Sequence, residues 1–163
     1  WPDFIARQRA EAVARHRARG LDAAWLDRIE PFLARWAPEA GGRTVLLHTE
    51  VMREHLLVER DTAGWRCSGL IDFEPAMPGA PDYEFASVGL FVSGGERRLL
   101  HRLLRAYGHP GLDRDTSLPM RLLALALLHR YGHLRWYLQR LPVPGAGTLE
   151  ALAERWFGVD AGG

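Results

Sequence analysis

His48-Thr49-Glu50-Val51-Met52-Arg53-Glu54-His55-Leu56-Leu57-Val58, followed beyond a polar turn by Leu70-Ile71-Asp72-Phe73-Glu74, is the stretch that decides the fold. Short β-rich runs interrupt a chain that otherwise has helical periodicity, and acids and imidazoles collect at the ends of those runs. Residues 44–48 read as a buried strand. Residues 55–59 and 65–73 read as a hairpin, because the segment between them, Arg60-Asp61-Thr62-Ala63-Gly64, carries the Asp and Gly of a turn. His48, Glu50, His55, Asp72, Glu74 and Glu84 are the polar residues that helix faces turned to solvent do not account for. Strand ends and the loops after them are where a rigid scaffold holds side chains for chemistry. Capping and loop bonding are the plainer uses of the same residues.

Outward from this region the chain reads as helices. Residues 3–19 are rich in helix formers with a strongly basic face, and Gly20 stops them. Residues 21–36 repeat Leu21, Trp25, Leu26, Ile29, Phe32, Leu33 and Trp36 at helical spacing, with Asp22 as N-cap and a kink or new turn expected at Pro31. Residues 37–42 read as a loop, and residues 75–81, with three prolines, as irregular. Helical periodicity returns over 82–92, over 96–108, through one long apolar helix over about 118–141, and over 148–157 with Thr148 as N-cap. Two helices, a small β region and four helices make a mainly α, α+β fold.

Composition narrows the chemistry. All 21 basic residues are Arg, against 20 acidic ones, and neither Lys nor Asn occurs among the 163 residues. A mechanism that needs a catalytic Lys, or an Asn as metal ligand, is therefore not completed by this chain alone. The near-neutral balance gives no electrostatic reason to expect nucleic acid or a membrane surface as partner. A single Cys, Cys67, excludes an internal disulfide and a cysteine-based zinc site, which fits a cytoplasmic location. No run reaches the ~18 apolar residues of a membrane span. The sequence opens on Trp1 rather than Met and reads as a piece of a longer polypeptide.

The ordered motifs resemble the catalytic core of the aminoglycoside phosphotransferase family, which has the protein-kinase-like fold. That family carries His-Gly-Asp-x-x-x-x-Asn and an apolar run, then a hairpin ending in Ile-Asp-Trp or Ile-Asp-Phe, then often Gly-Asp-Pro-x-x-Asp-Leu-Ala. Here Gly79-Ala80-Pro81-Asp82-Tyr83-Glu84-Phe85-Ala86 falls at the last of these. The resemblance implies that residues 1–163 form one domain, the family's C-terminal lobe, and that a nucleotide-clamping N-terminal lobe with a Lys lies upstream. It implies ATP and magnesium as cofactors and a hydroxylated small molecule as acceptor. Glu50 stands at the catalytic Asp and His48 at the His that organises the loop. Asp72 stands at the magnesium-binding Asp, His55 at the second metal ligand and Glu84 at the acid that braces the loop.

Three of these positions depart from the family. Glu50 and Glu84 each add a methylene to the family's Asp, and a shift of ~1 Å in a reacting group can cost 10²-fold. His55 offers nitrogen where the family offers an amide oxygen, which suits manganese or zinc better than magnesium. These changes motivate an alternative, a catalytically inactive kinase-like binding lobe. A metal oxygenase built on His48 and Glu50 with His101 or His109 is a further alternative, although such sites usually sit in larger barrels. Glu54 and Glu74 near the cleft would suit a cationic acceptor. The segment His129-Arg130-Tyr131-Gly132-His133 reads either as core or as the wall of an acceptor pocket.

Overall fold

A computed structural model describes residues 1–39, 41–110, 112 and 114–158. Among them are seven α-helices and two small antiparallel sheets of two strands each, an α+β arrangement. None of these helices is long and apolar enough to cross a membrane.

The centre is α5 (Leu118–Leu128), LPMRLLALALL, in which every residue but Arg121 is buried. A helix that is apolar all round must be enclosed by others. Around it pack α1 (Pro2–Ala18), α2 (Ala23–Trp36), α3 (Pro81–Ser87) and α7 (Leu149–Phe157). On α1 the buried stripe is Ile5, Gln8, Ala12 and His16, while Arg7 and Arg17 are exposed. Pro31 sits within one continuous α2 rather than starting a new helix, and Asp22 precedes it without a side-chain cap bond. Thr148 does cap α7, its Oγ1 accepting from the Ala151 N–H at 3.1 Å. The helix expected over 82–92 is α3 continued by a wide turn, Val88–Val92, closed by the Ser93 N–H on the Val88 carbonyl. Next comes α4 (Arg97–Tyr107), which buries Leu100 and Leu104.

The single long helix expected over 118–141 is instead two. α5 ends at Leu128, and α6 (Leu134–Arg140) begins after a tight connection. The cause is tertiary. The carbonyl of Leu127, one of those left over at a helix C-terminus, accepts from His16 Nε2 at 3.1 Å and from Arg15 Nη2 at 3.2 Å. Arg19 donates to the Gly132 carbonyl, while the Leu134 N–H donates to His16 Nδ1 at 3.3 Å. α1 therefore terminates one helix and sets the start of the next. This wiring selects the neutral Nε2–H form of His16, and burial pushes its pKa down to about 4.

The β region pairs differently from the sequence reading. β1 (Val45–Leu47) is antiparallel to β4 (Met77–Gly79), which lies in the segment expected to be irregular. Only one face of this pair is covered, so Leu47 is buried while Leu46 is 72 % exposed, against the expectation of a buried strand. β2 (Leu56–Asp61) and β3 (Gly64–Leu70) form the hairpin, with an irregularity between Leu57 and Val58. β3 stops before Ile71, leaving Asp72 beyond the strand.

Gly132 marks the α5–α6 connection as sterically closed. A Cβ there would lie 2.7 Å from the Ala126 carbonyl oxygen and 2.9 Å from that of His129. Gly132→Ala is accordingly expected to destabilise the protein by about 1–3 kcal/mol, read as a lower urea midpoint. A midpoint equal to wild type would contradict this account of the connection.

Candidate active site

The loop leaving β1 turns sharply at Thr49, which is fully buried and has φ 71°, a left-handed conformation that β-branched residues rarely adopt. Such strain costs on the order of 1–3 kcal/mol and persists only where the surroundings impose it. Here they do. The Glu84 carboxylate of α3 accepts from the His48 N–H at 2.5 Å and from the Thr49 N–H at 3.1 Å. On the other side of the loop, His129 Nε2 donates to the Thr49 carbonyl at 2.9 Å, and the Thr49 hydroxyl reaches the Pro75 carbonyl at 3.3 Å.

Glu50 is held by two imidazoles. Its N–H donates to His48 Nδ1 at 3.3 Å, and His48 Nε2 donates to the Ile71 carbonyl at 2.7 Å. Its carbonyl accepts from His55 Nδ1 at 2.7 Å, which leaves His55 Nε2 facing Asp72 Oδ2 at 3.4 Å. The Ile71 N–H also donates to the His55 carbonyl at 3.0 Å. Glu50 and the Ile71–Asp72 segment are thus tied together twice. Asp72 has φ 70°, so both turns of the site are left-handed, and its side chain is 47 % exposed against 12 % for His55. The half-buried Glu50 carboxylate has no hydrogen bond among the described residues, so its lone pairs stay open.

Of the sequence candidates, His48, Glu50, His55, Asp72 and Glu84 therefore meet in one network. Glu54 and Glu74 are exposed and make no bond in it. His109 is drawn elsewhere, donating from Nε2 to Asp82 Oδ1 at 2.9 Å. His101 does not join His48 and Glu50, because no group of three or more His, Cys, Asp or Glu among the described residues could hold a metal ion. Among the described residues, His48 and Glu50 thus form no three-membered group with His101 or His109 of the kind the oxygenase alternative requires. A donor pair remains at Asp72 and His55. Two donors 3.4 Å apart can share one ion at ordinary bond lengths, and phosphate oxygens and water commonly complete a magnesium shell.

Two features escaped the sequence reading. His129, placed on a helix there, is buried just past α5, and burial pushes its pKa down to about 4. Asp82 anchors a second network, accepting from Arg121 Nε at 2.7 Å, while Arg121 Nη2 donates to Asp115 at 2.7 Å. Burial alone would raise the Asp115 pKa, but its bonds to Arg121 and Ser117 hold it down to about 2. The turn at Thr49, by contrast, had a signal: the family pattern has Gly where Thr49 stands, the mark of a position with positive φ. A cavity of about 340 Å³ lined by Gly94, Gly95, Glu96, Arg97, Arg98 and Arg155 opens near Arg53, whose Nε donates to the Val92 carbonyl at 2.7 Å.

The model of a phosphotransferase enzyme family matches residues 1–118 of the 163, and the chain belongs to that family. Comparison with curated proteins finds no match.

Removing the brace should cost more than a surface change. Glu84→Ala leaves two N–H groups without their charged acceptor and is expected to lower stability by about 2–4 kcal/mol; a loss within ~0.5 kcal/mol, the scale of ordinary surface changes, would show that the clamp carries no weight. A pH effect follows from His16 and His129. Both have a folded pKa of about 4, below the ordinary 6.5, so between those values the unfolded chain binds more protons. Their contribution is complete above pH 6.5 and is lost as pH falls towards 4, the loss reaching about 3 kcal/mol for each at ~1.4 kcal/mol per pH unit. The urea midpoint is expected to drop across that window, and a flat profile would refute the assignment.

Proposed function

We propose that the chain is the C-terminal lobe of a two-lobed phosphotransferase that moves the terminal phosphoryl group of ATP to a hydroxyl of a small, aminoglycoside-like molecule. The observation that carries this reading is the double tie between Glu50 and the Ile71–Asp72 segment through His48 and His55, which leaves the Glu50 carboxylate open. Phosphoryl transfer depends mainly on positioning and charge neutralisation. A base needs a fixed backbone and an unoccupied carboxylate, and Glu50 has both. It would take the proton from the acceptor hydroxyl as that oxygen attacks the γ-phosphorus and the bond to the β-γ bridging oxygen breaks, ADP leaving.

Asp72 and His55 would hold the divalent ion, with His48 and Glu84 setting the loop. The ion, when bound, neutralises charge on the phosphates. One oxygen and one imidazole nitrogen shift the preference from magnesium towards manganese. Apolar side chains left open on the β region, among them Leu46, Trp65 at 71 % exposure and Phe73, are consistent with a second lobe covering it. That lobe would also bring the Lys this chain lacks, so the fragment alone should not transfer phosphate. Exposed Glu54 and Glu74 would suit a cationic acceptor, and a cytoplasmic location fits the cysteine usage. A second reading, an inactive binding lobe, draws support from the His55–Asp72 contact, which engages the metal-site carboxylate within the protein.

The test uses the full-length polypeptide, including the sequence upstream of Trp1. It is expected to consume ATP with magnesium or manganese and a hydroxylated amine, and Asp72→Ala and Glu50→Gln should each lower kcat by about 10²-fold or more. If calorimetry detects no nucleotide binding with either metal, the active reading falls and the inactive lobe stands.

A further inference from the structure

The site's loop is gripped from two directions, and only one of them comes from residues the functional reading uses. We infer that His129 is a positioning residue for this site, holding the Thr49–Glu50 peptide from the α5 side and thereby setting where the Glu50 carboxylate stands; the inference rests on the phosphotransferase reading above.

The peptide between Thr49 and Glu50 has two polar atoms, and an imidazole meets each. The oxygen accepts from His129 Nε2 at 2.9 Å, and the N–H donates to His48 Nδ1 at 3.3 Å. Rotation of that plane would swing Glu50 away from the Asp72 side, and two fixed rings oppose it. His129 is itself fixed. Its Nδ1 accepts from the Tyr131 N–H at 3.3 Å, and its ring stacks on Tyr83 at a centroid distance of 4.7 Å and an angle of 20°. The Tyr83 hydroxyl accepts from the Arg130 N–H at 3.1 Å, closing the far side of the same connection. Tyr83 and Glu84 are neighbours on α3, so one helix steadies the groups on both the N–H and the carbonyl of Thr49.

A bond of this kind is more than packing because Thr49 is strained. Its φ of 71° does not sustain itself in a β-branched residue, and the Thr49 carbonyl is buried with the rest of the residue. Without a donor it would seek another partner, and the available relaxation is rotation of the peptide that carries Glu50. A displacement of ~1 Å at a reacting group is enough to cost 10²-fold. Asp72 and His55 belong to the other side of the site and are not touched by His129.

In the full-length protein, His129→Phe keeps the ring and its stacking on Tyr83 but removes the donor, and His129→Gln restores an N–H. The phenylalanine variant is expected to lose about 10- to 100-fold in kcat, with the acceptor KM and calorimetric nucleotide affinity within about threefold of wild type, while the glutamine variant recovers part of the loss. Unchanged kcat in a folded phenylalanine variant, or kcat, KM and affinity falling together, would overturn the proposal. Hydrogen exchange provides a readout independent of activity: protection at the Thr49 and Glu50 amides should fall about tenfold while that of α5 holds. If wild type transfers no phosphate, the functional reading fails, and the exchange result alone shows whether His129 fixes the loop. Equal protection in both proteins would end the proposal. Should the phenylalanine variant not fold, the glutamine variant decides by the same exchange comparison, with intermediate protection expected and wild-type or fully lost protection counting against it.

Discussion

The left-handed peptide at Thr49 is the constraint on which the site depends. An ordinary strand exit would send the His48 and Thr49 N–H groups in opposite directions. The turn at φ 71° instead presents both to one carboxylate, Glu84, and points the Thr49 carbonyl at His129. The strain of that turn, on the order of 1–3 kcal/mol, is offset by two charge-assisted bonds and one to a buried imidazole. Because the loop has no regular secondary structure, these bonds are what satisfies its polar backbone. Their partners come from α3, from the end of α5 and from the segment after β3, so the loop is ordered only when those elements are packed.

α5 links this requirement to the fold. Its apolar surface obliges the helices to enclose it, which brings α1 against its C-terminal end and α3 alongside. At that end α1 caps the helix through His16 and Arg15, and the chain breaks just where His129 can turn towards Thr49. Three imidazoles, His16, His48 and His129, are wired alike, each donating from Nε2 to a carbonyl and accepting a backbone N–H at Nδ1. Neutral imidazole suits buried junctions of irregular backbone because it matches one donor and one acceptor without burying charge.

The helices and the hairpin were legible in the sequence because period and turn chemistry are local. Thr148 as a cap and the turn near Gly64 needed no tertiary information. The break after Leu128 was not legible, since the apolar pattern runs on through Leu134 and Leu138 and no proline interrupts it; Gly132 alone hinted at it. β4 was hidden by Pro78, which a two-stranded sheet tolerates because each strand has an unpaired edge. At the site, His48, Glu50, His55, Asp72, Glu74 and Glu84 stood out as polar residues that solvated helix faces do not account for, and the motif order assigned roles to all of them but Glu74. The bond from His129 to Thr49 joins residues 80 positions apart and leaves no local trace.

The hairpin sharpens the case for a covering lobe. β2 and β3 contact each other far more than any other element, and an isolated two-stranded ribbon is marginal in water. Its faces are unlike. Glu59, Asp61 and Arg66 form ion pairs on one side, while Val58, Cys67 and Trp65 lie on the other, with Arg60 over the Trp65 ring at 5.8 Å. A solvated ribbon would not need the second face. Asp72 follows β3 directly, so whatever steadies that face also steadies one of the two donors facing each other at 3.4 Å. Under the two-lobed reading, docking would therefore do more than deliver a nucleotide, because it would rigidify the half of the site that the helical core does not reach.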